Sequence, residues 1–221
     1  MQKRSINLTF HGIGEPPRAL DPGEENVWVA HDRFLALLDS VAGREDVRIT
    51  FDDGNASDVE QALPALVDRE LDATFFVVAG RLGEPTFVDA SGVRELAAAG
   101  MGIGCHGMRH RPWRGLADTE LHEEHVEAKA MLEQIVEHPV VQAACPFGSY
   151  DRRVLRSLRG SGYRRVYTSD RGTTVPGDFL QARNTVGPDD RPELLSAIES
   201  LDSNPRTAMP RRAKLAVKRW R

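Results

Sequence analysis

Short apolar runs alternate with amphipathic stretches along most of this chain, and that alternation strongly limits its fold. Each apolar run has the length of a strand, and the stretches between them repeat apolar residues at helical spacing, as Phe34, Leu38 and Val41 do. Alternating strands and helices predict a parallel α/β architecture. The predicted strands cover residues 6–10, 47–51, 73–78, 101–105, 140–145, 165–168 and 179–182. The predicted helices cover residues 34–41, 59–67, 93–97, 119–137 and 151–158.

Length and charge indicate one ordinary globular domain. A chain of 221 residues fits a single α/β barrel, and a formal net charge of −4 does not suggest a nucleic-acid-binding protein. We expect a barrel over residues 1–202 and a basic tail over residues 203–221, where apolar periodicity is lost. Cys105 and Cys145 are too few for a disulfide framework and are predicted to pack in the core. Because no apolar run resembles a signal peptide or a membrane span, the cytoplasm is the expected location.

Residues able to hold a metal ion come directly after two of the predicted strands. Asp52 and Asp53 follow the second strand, and His106 and His110 follow the fourth. Because the carboxyl ends of parallel strands meet at one face of a barrel, these side chains should be neighbours. One carboxylate and two imidazoles make an open metal site and leave the second carboxylate as a base, an outline for metal-assisted hydrolysis. Taken alone, the aspartates also fit a turn, and the histidines a solvated face.

Three short motifs follow the second, fourth and fifth predicted strands. Residues 50–54 read Thr-Phe-Asp-Asp-Gly, residues 106–110 read His-Gly-Met-Arg-His, and residues 146–148 read Pro-Phe-Gly. In this order they resemble the motifs of the polysaccharide deacetylases with a NodB-type domain, also called carbohydrate esterase family 4. The first and third motifs match in full, and the second departs at Gly107, where a hydroxyl residue is usual. The resemblance covers most of the chain and implies a distorted (β/α)7-type barrel.

The resemblance also implies a metal centre and a division of roles within it. Asp53, His106 and His110 would be ligands of a divalent metal, usually zinc, with cobalt, nickel and manganese as alternatives. Asp52 would be the general base that takes a proton from the metal-bound water during attack on an acetamide carbonyl. The resulting oxyanion would be held by the metal and by a backbone N–H near Phe147.

Two residues that members of this family use are missing at their usual places. Many members carry an arginine shortly before the third motif, where residues 143–145 here read Ala-Ala-Cys; Arg183, after the last predicted strand, either replaces it or is a solvated strand end. The Leu-x-His histidine that protonates the leaving amine is absent, since no histidine follows His138. His11, at the end of the first strand, is the candidate acid. The alternatives are a structural hydrogen bond for His11 and proton return by Asp52.

Aromatic residues near the motifs have two interpretations each. Trp113 could stack on a sugar ring or fill space beneath a loop, and Tyr150 could face the pocket or the core. Pro146, Phe147 and Gly148 are expected to contact the substrate or its oxyanion.

The remaining histidines are predicted to have no role in the site. His122 and His125 lie on a predicted helix whose other face carries Glu123, Glu124 and Glu127, so this helix is expected to be solvated.

We therefore predict a metal-dependent hydrolase that removes N-acetyl groups, or as a second choice O-acetyl groups, from a sugar or glycan precursor. Two alternatives stay open: a carbohydrate-binding or regulatory barrel that has lost turnover, and a related hydrolase that cleaves amides other than sugars. An acetylated sugar or glycan is the expected partner, and nucleic acid is not. The basic tail could contact an anionic membrane surface, or it could simply be solvated. The sequence does not predict the oligomeric state.

Overall fold

Among residues 4–203 and 205–220, which a computed structural model of the chain describes, eight strands form a single sheet. Every neighbouring pair of strands in it is parallel. The strands are β1 (Ile6–Phe10), β2 (Val47–Asp53), β3 (Ala73–Val77), β4 (Gly102–Cys105), β5 (Gln142–Ala144), β6 (Arg165–Thr168), β7 (Leu180–Ala182) and β8 (Asn184–Thr185). The sheet runs in the order β7-β6-β5-β4-β3-β2-β1-β8, so each of strands β1 to β6 lies beside the next strand in sequence.

The sheet closes into a barrel through its last two strands. β7 pairs with β6 and β8 pairs with β1, and only Arg183 separates β7 from β8. The two therefore act as one interrupted strand that joins both edges of the sheet. Counted as one strand, they give the distorted (β/α)7-type barrel, which confirms the predicted fold. The sequence prediction ends the last strand at residue 182 and misses β8, whose two residues are both polar.

Helices follow most of the strands. They are α1 (His31–Val41), α2 (Leu63–Val67), α3 (Ala90–Ala98), α4 (Asp118–His122), α5 (Ala128–Val136), α6 (Arg152–Gly160), α7 (Leu194–Ser203) and α8 (Pro205–Trp220). A π-helical segment, Asp58–Ala62, leads into α2, and another, Glu123–Glu127, joins α4 to α5. No helix of the described residues is long and apolar enough to cross a membrane.

The last two helices revise the expectation for the end of the chain. The sequence pattern does not predict α7, and the segment expected to be a basic tail is helical as α8. The expected boundary at residue 203 coincides with the last residue of α7. Residues 1–3, 204 and 221 of the predicted domain and tail lie outside the described residues. The division into a barrel and a tail stays a prediction.

Alternation along β2 decides which of its side chains reach the inside of the barrel. Thr50 and Asp52 share one face of the strand, and Thr50 Oγ1 lies 3.0 Å from Thr9 Oγ1 of β1. Phe51 lies on the opposite face and packs against the helix layer through Phe34 of α1. The Thr-Phe-Asp sequence therefore places an apolar anchor between two polar residues that face inward.

Phe51 is the centre of a buried aromatic cluster. Its ring centroid lies 4.5 Å from that of Phe75, 5.5 Å from that of Phe10 and 6.0 Å from that of Phe34. All four rings are excluded from solvent. The cluster fixes β1, β2 and β3 against α1, and with them the strand that carries both aspartates.

Replacing Phe51 with alanine is expected to lower the free energy of unfolding by about 3–5 kcal/mol, because the cavity left at the cluster centre cannot fully collapse. Urea denaturation monitored by circular dichroism measures this loss. Phe147→Ala is the matched control, since the Phe147 side chain is 67% exposed, and it should cost less than about 1 kcal/mol. Equal losses in the two variants would contradict the role assigned to the cluster.

Candidate active site

A cavity of about 440 Å³ lies at the carboxyl ends of the strands. It is lined by His11 after β1, by Asp52 and Asp53 at the end of β2, and by His106 and His110 after β4. The structure thus brings these predicted residues together at the edge of a parallel barrel where active sites form. A larger cavity of about 720 Å³ lies at the opposite edge and contains none of the predicted site residues.

The backbone at the end of β2 lets two consecutive carboxylates face the same cavity. In a regular strand successive side chains point to opposite faces. Here Asp53 has φ 78° and Gly54 has φ 74°, both in the left-handed region. For a residue other than glycine this conformation costs about 1–3 kcal/mol, and such residues cluster at active sites. The turn at Asp53 therefore gives Asp52 and Asp53 a common direction.

Asp53, His106 and His110 form a group with the dimensions of a metal site. One donor atom from each lies within 4.8 Å of the other two. Asp53 Oδ1 is 3.0 Å from His110 Nε2 and 3.5 Å from His106 Nε2. That oxygen is buried. Oxygen and nitrogen donors that converge at these distances fit a divalent cation.

The second ring nitrogen of His106 fixes the orientation of this candidate ligand. His106 Nδ1 donates a hydrogen bond of 2.9 Å to the carbonyl oxygen of Ala144 on β5. Because a carbonyl can only accept, Nδ1 carries the proton and Nε2 keeps its lone pair for the cavity. Metal-ligating histidines commonly make this arrangement with a backbone carbonyl.

Electrostatics keep both carboxylates ionised and His106 neutral. Burial raises the pKa of Asp53, but the hydrogen bond from His110 and the charges of His11, His110 and His106 outweigh it and lower that pKa far below its usual range. Burial lowers the pKa of His106 to about 4 against the opposing effect of Asp52. Burial also lowers the pKa of His110, yet its hydrogen bond to Asp53 produces a net increase. Because a histidine that ligates a metal is neutral, a cation bound there would oppose this increase.

Arg183 reaches Asp52 from the break between β7 and β8. Its Nη1 and Nη2 donate to the two carboxylate oxygens of Asp52 at 2.5 and 2.6 Å, a bidentate pair in which both residues are buried. The guanidinium carbon also lies 5.2 Å from the ring centroid of Phe76 and 5.9 Å from that of Tyr167. Burial raises the pKa of Asp52, but Arg183 and His106 reverse this and hold the pKa below its usual value. Arg183 is therefore not a solvated strand end.

Glu124 is a residue of the site that the sequence pattern does not reveal. Its side chain is completely buried, and Oε2 accepts hydrogen bonds from the backbone N–H of Met108 at 2.8 Å and of Arg109 at 3.4 Å. Oε1 accepts a bond of 2.9 Å from Arg111 Nε. All these donors lie in or beside the loop that carries His106 and His110. Glu124 thus holds that loop against the π-helical segment between α4 and α5.

The burial of Glu124 and His125 overturns the prediction that their helix is solvated on this side. His125 is buried, and its Nδ1 lies 2.9 Å from Ser157 Oγ on α6. Burial lowers its pKa to about 3, so it stays neutral. A π-helical segment includes both residues, and such segments often occur at functional sites. His122 is exposed, as expected.

Trp113 is a core residue, so its interpretation as a sugar-stacking residue is wrong. Its side chain is fully buried and packs edge-on against His125 with ring centroids 4.6 Å apart. Its Nε1–H lies 3.3 Å from Glu124 Oε2. The alternative, a plug beneath the loop, fits this position.

Tyr150 likewise faces the core and not the cavity. Its side chain is buried, and its hydroxyl donates a hydrogen bond of 2.6 Å to Asp170 Oδ2. Burial and that carboxylate raise the pKa of Tyr150 above its usual value. Tyr150 therefore cannot contact a substrate in this cavity.

The third motif presents one aromatic side chain to the cavity. Pro146–Gly148 forms a 3-10 turn in which Pro146 and Gly148 are buried while Phe147 is exposed. Phe147 lines the cavity, and its ring centroid lies 4.8 Å from that of His110. Phe147 has φ 54° and Gly148 has φ 60°. A Cβ at Gly148 would lie 2.9 Å from the Cβ of Ser169, another cavity residue, so only glycine fits there.

Both cysteines are buried, as predicted. Burial raises the pKa of Cys105 to about 11 and also raises the pKa of Cys145. Both thiols therefore stay protonated near neutral pH and are poor metal ligands.

Asp58 is a second buried carboxyl group that sequence reasoning missed. It starts the π-helical segment after β2, and neither of its oxygens has a hydrogen-bond partner within the described part of the chain. Burial, with smaller contributions from Asp53 and Asp52, raises its pKa well above 3.8. Asp58 is therefore more readily protonated than Asp52 and Asp53, whose pKa values are lowered.

Comparison with known proteins finds relatives that are all described as deacetylases. The family model for polysaccharide deacetylase matches residues 40–166, more than half of the chain. YxkH of Bacillus subtilis (strain 168) is 23% identical over 166 residues, which cover 75% of this chain. The peptidoglycan-N-acetylglucosamine deacetylase of Bacillus cereus is 27% identical over 124 residues, or 56% of this chain. The aligned regions span 60% and 56% of the lengths of these two curated relatives.

Solved structures share the fold. The Streptococcus pyogenes deacetylase PplD, solved in complex with acetate, superposes with a TM-score of 0.79 at 20% sequence identity. The superposition covers 90% of this chain and 100% of that one. At this identity the likeness concerns the fold, and it supports the distorted barrel described above.

Glu124→Gln is expected to weaken zinc binding by about tenfold or more, since residues that support metal ligands typically have effects of this size. Isothermal titration of the metal-free protein with Zn²⁺ measures the change. Glu127→Gln is the matched control, because Glu127 belongs to the same π-helical segment but is exposed. Equal affinities for the two variants would show that Glu124 does not position the histidine loop.

Asp58→Asn is expected to stabilise the metal-free protein at neutral pH and to have little effect in acid. Because the folded chain holds the Asp58 proton to a higher pH than the unfolded chain, which loses it above pH of about 4, the wild-type protein loses stability as the pH rises from there. The gain in melting temperature should therefore grow between acid and neutral pH, by about 2–4 °C per kcal/mol. Asp68→Asn, at an exposed helix end, should show no such trend. A constant or reversed difference would contradict the raised pKa.

Proposed function

This chain belongs to the polysaccharide deacetylase family, and on that premise we propose that it is a metal-dependent hydrolase that removes N-acetyl groups from a sugar or glycan precursor. The observation that carries the proposal is the group of Asp53, His106 and His110 with Asp52 beside it in one cavity. Asp52 Oδ2 lies 3.6 Å from His106 Nε2, so a base stands directly next to the candidate ligands. A simple binding protein has little use for that arrangement.

The metal assignment follows from the donor set. Asp53, His106 and His110 supply one oxygen and two nitrogens, which suit zinc first and cobalt, nickel or manganese as alternatives. A divalent ion held there supplies Lewis acidity and lowers the pKa of a coordinated water to about 7. With three protein ligands, such an ion would keep a position open for water.

Asp52 is the proposed general base. It is ionised, and Arg183 holds both of its oxygens in place. As the water oxygen bonds to the acetamide carbonyl carbon, Asp52 takes the proton that the water loses. The carbonyl oxygen gains negative charge in this step, and the backbone N–H of Phe147 is the proposed donor to it. Breakage of the C–N bond then releases acetate and the sugar amine.

His11 is the proposed donor of the proton that the leaving nitrogen needs. It lines the cavity, and its Nδ1 is buried without a hydrogen-bond partner among the described residues. A histidine at the wall of the cavity can deliver a proton to the leaving amine and regain one from solvent. Return of the first proton by Asp52 is the alternative route.

The substrate is proposed from the shape of the cavity and its rim. About 440 Å³ accommodates a sugar residue with its acetamide group, and the exposed Phe147 ring offers an apolar face for a sugar ring. O-acetyl groups are the second choice, since the same attack cleaves an ester. The cytoplasmic location and a glycan precursor as substrate stay predictions from the sequence.

Asp52→Asn tests the proposal. Removing the base should lower acetate release from an N-acetylglucosamine oligomer by about 10²–10⁴-fold and leave about one divalent ion per chain. Acetate is measured enzymatically, and metal by elemental analysis of the same samples. Asp72→Asn is the control, because Asp72 is exposed and precedes β3 at the opposite edge of the barrel.

Three results would contradict parts of this proposal. Equal acetate release by Asp52→Asn and the wild-type protein would show that Asp52 is not the general base. Bound metal without turnover of any amide or ester in a broad panel would favour a binding or regulatory barrel, which the missing Leu-x-His histidine also suggests. Absence of metal after reconstitution would refute the ligand assignment.

A further inference from the structure

Helix α8 rests on the barrel through one of its faces. Ala208 is buried and Leu215 is half-buried on this face. Lys218 Nζ lies 2.7 Å from Asp170 Oδ1 and 4.1 Å from the ring centroid of Tyr150. These contacts fix the orientation of the helix and therefore determine which residues its opposite face presents to solvent.

The opposite face of α8 is apolar and exposed. Met209, Ala213, Ala216 and Trp220 follow one another at spacings of three and four residues, so they form one stripe along the helix, with Val217 beside it. Met209 is 71% exposed, Val217 52% and Trp220 76%. The stripe stays largely exposed, although the Arg152 guanidinium carbon lies 5.9 Å from the Trp220 ring centroid.

The helix that carries this stripe has a strongly basic sequence. The α8 sequence contains six lysines and arginines and no aspartate or glutamate. A groove of about 480 Å³ next to the stripe is lined by Arg152, Arg156 and Arg159 of α6 and by Arg219 and Trp220 of α8. Among the described residues, no carboxylate forms an ion pair with any of these four arginines. The groove therefore offers guanidinium groups to an external anion.

One end of this surface, the end that carries Trp220, lies at the edge of the barrel where the strands have their carboxyl ends. Asp170, the partner of Lys218, follows the carboxyl end of β6 by two residues, and its neighbour Ser169 lines the candidate active site. Arg152 begins α6 and therefore lies at the same edge. The end of α8 that carries Trp220 is thus close to the cavity.

We propose that the exposed stripe of α8 and the arginine groove form a docking surface for an anionic lipid bilayer. Apolar side chains with a terminal tryptophan enter the headgroup region, and surrounding basic residues bind lipid phosphates; this combination is typical of interfacial helices. A soluble phosphate would explain the arginines but not the stripe. An apolar protein partner would explain the stripe but not the uncompensated charge. The proposal concerns location and does not depend on the deacetylase activity.

The test measures partitioning of the full chain into sedimenting vesicles. Vesicles of phosphatidylcholine mixed with phosphatidylglycerol should bind the protein, and vesicles of phosphatidylcholine alone should bind it at least tenfold less, on the order expected for several basic residues. Using Asp52→Asn protein as well separates the outcomes, because docking should persist when turnover is lost. Equal binding to the two kinds of vesicle would overturn the proposal.

Matched variants assign the binding to this surface. Val217→Asp should weaken partitioning by about tenfold, whereas Val67→Asp should not, although both valines are 52% exposed on helices. Arg156→Glu should weaken it by about fivefold or more, and Arg94→Glu on α3 should not. Trp220→Ser gives a second change to the stripe should Val217→Asp alter the thermal unfolding curve.

Two further results would overturn the proposal. Equal partitioning of the Val217 and Val67 variants would exclude the stripe as the point of contact. Binding of inorganic polyphosphate without partitioning into either kind of vesicle would assign the arginine groove to a soluble phosphorylated ligand.

Discussion

The buried pair of Arg183 and Asp52 is the interaction on which the barrel and its candidate site both depend. Taking two charges out of water costs several kcal/mol for each, and only pairing with good geometry offsets that cost. Here both carboxylate oxygens are satisfied by one guanidinium. Because Arg183 is also the single residue between β7 and β8, the pair ties the closure of the sheet to the position of the proposed base.

Much of the fold and of the cavity follows from local sequence patterns. Alternating apolar runs predict the strands within a few residues, and polar residues just after them predict the cavity, because parallel strands bring their carboxyl ends together. Asp52, Asp53, His106 and His110 are found in this way. Their positions require no knowledge of which helix packs where.

The parts that were missed depend on contacts between distant segments. Glu124 and Glu127 look alike in sequence, and only packing of the π-helical segment under the histidine loop makes the first buried and the second exposed. Trp113 could not be assigned to core or surface before that packing was known. β8 was missed because its two polar residues carry no apolar pattern and pair only with β1.

Gly107 departs from the usual hydroxyl residue of the second motif, and the structure gives a physical reason. Its φ is +83°, a region that favours glycine. A Cβ there would lie 2.2 Å from Glu124 Oε2 and 3.1 Å from Trp113 Nε1. The carboxylate of Glu124 therefore occupies the space that a side chain at residue 107 would need. Glycine at residue 107 and the buried carboxylate of Glu124 therefore depend on each other.

The burial of the Arg183–Asp52 pair also determines how the protein should respond to ionic strength. Dissolved ions screen exposed charges over about 10 Å at 0.1 M, but they hardly affect a buried pair in direct contact. The arginines of the α6–α8 groove face solvent, so their attraction to lipid phosphates is fully open to screening. Added salt should therefore weaken the attraction of the arginine groove to a membrane. It should leave the position of Asp52, which Arg183 holds, unchanged.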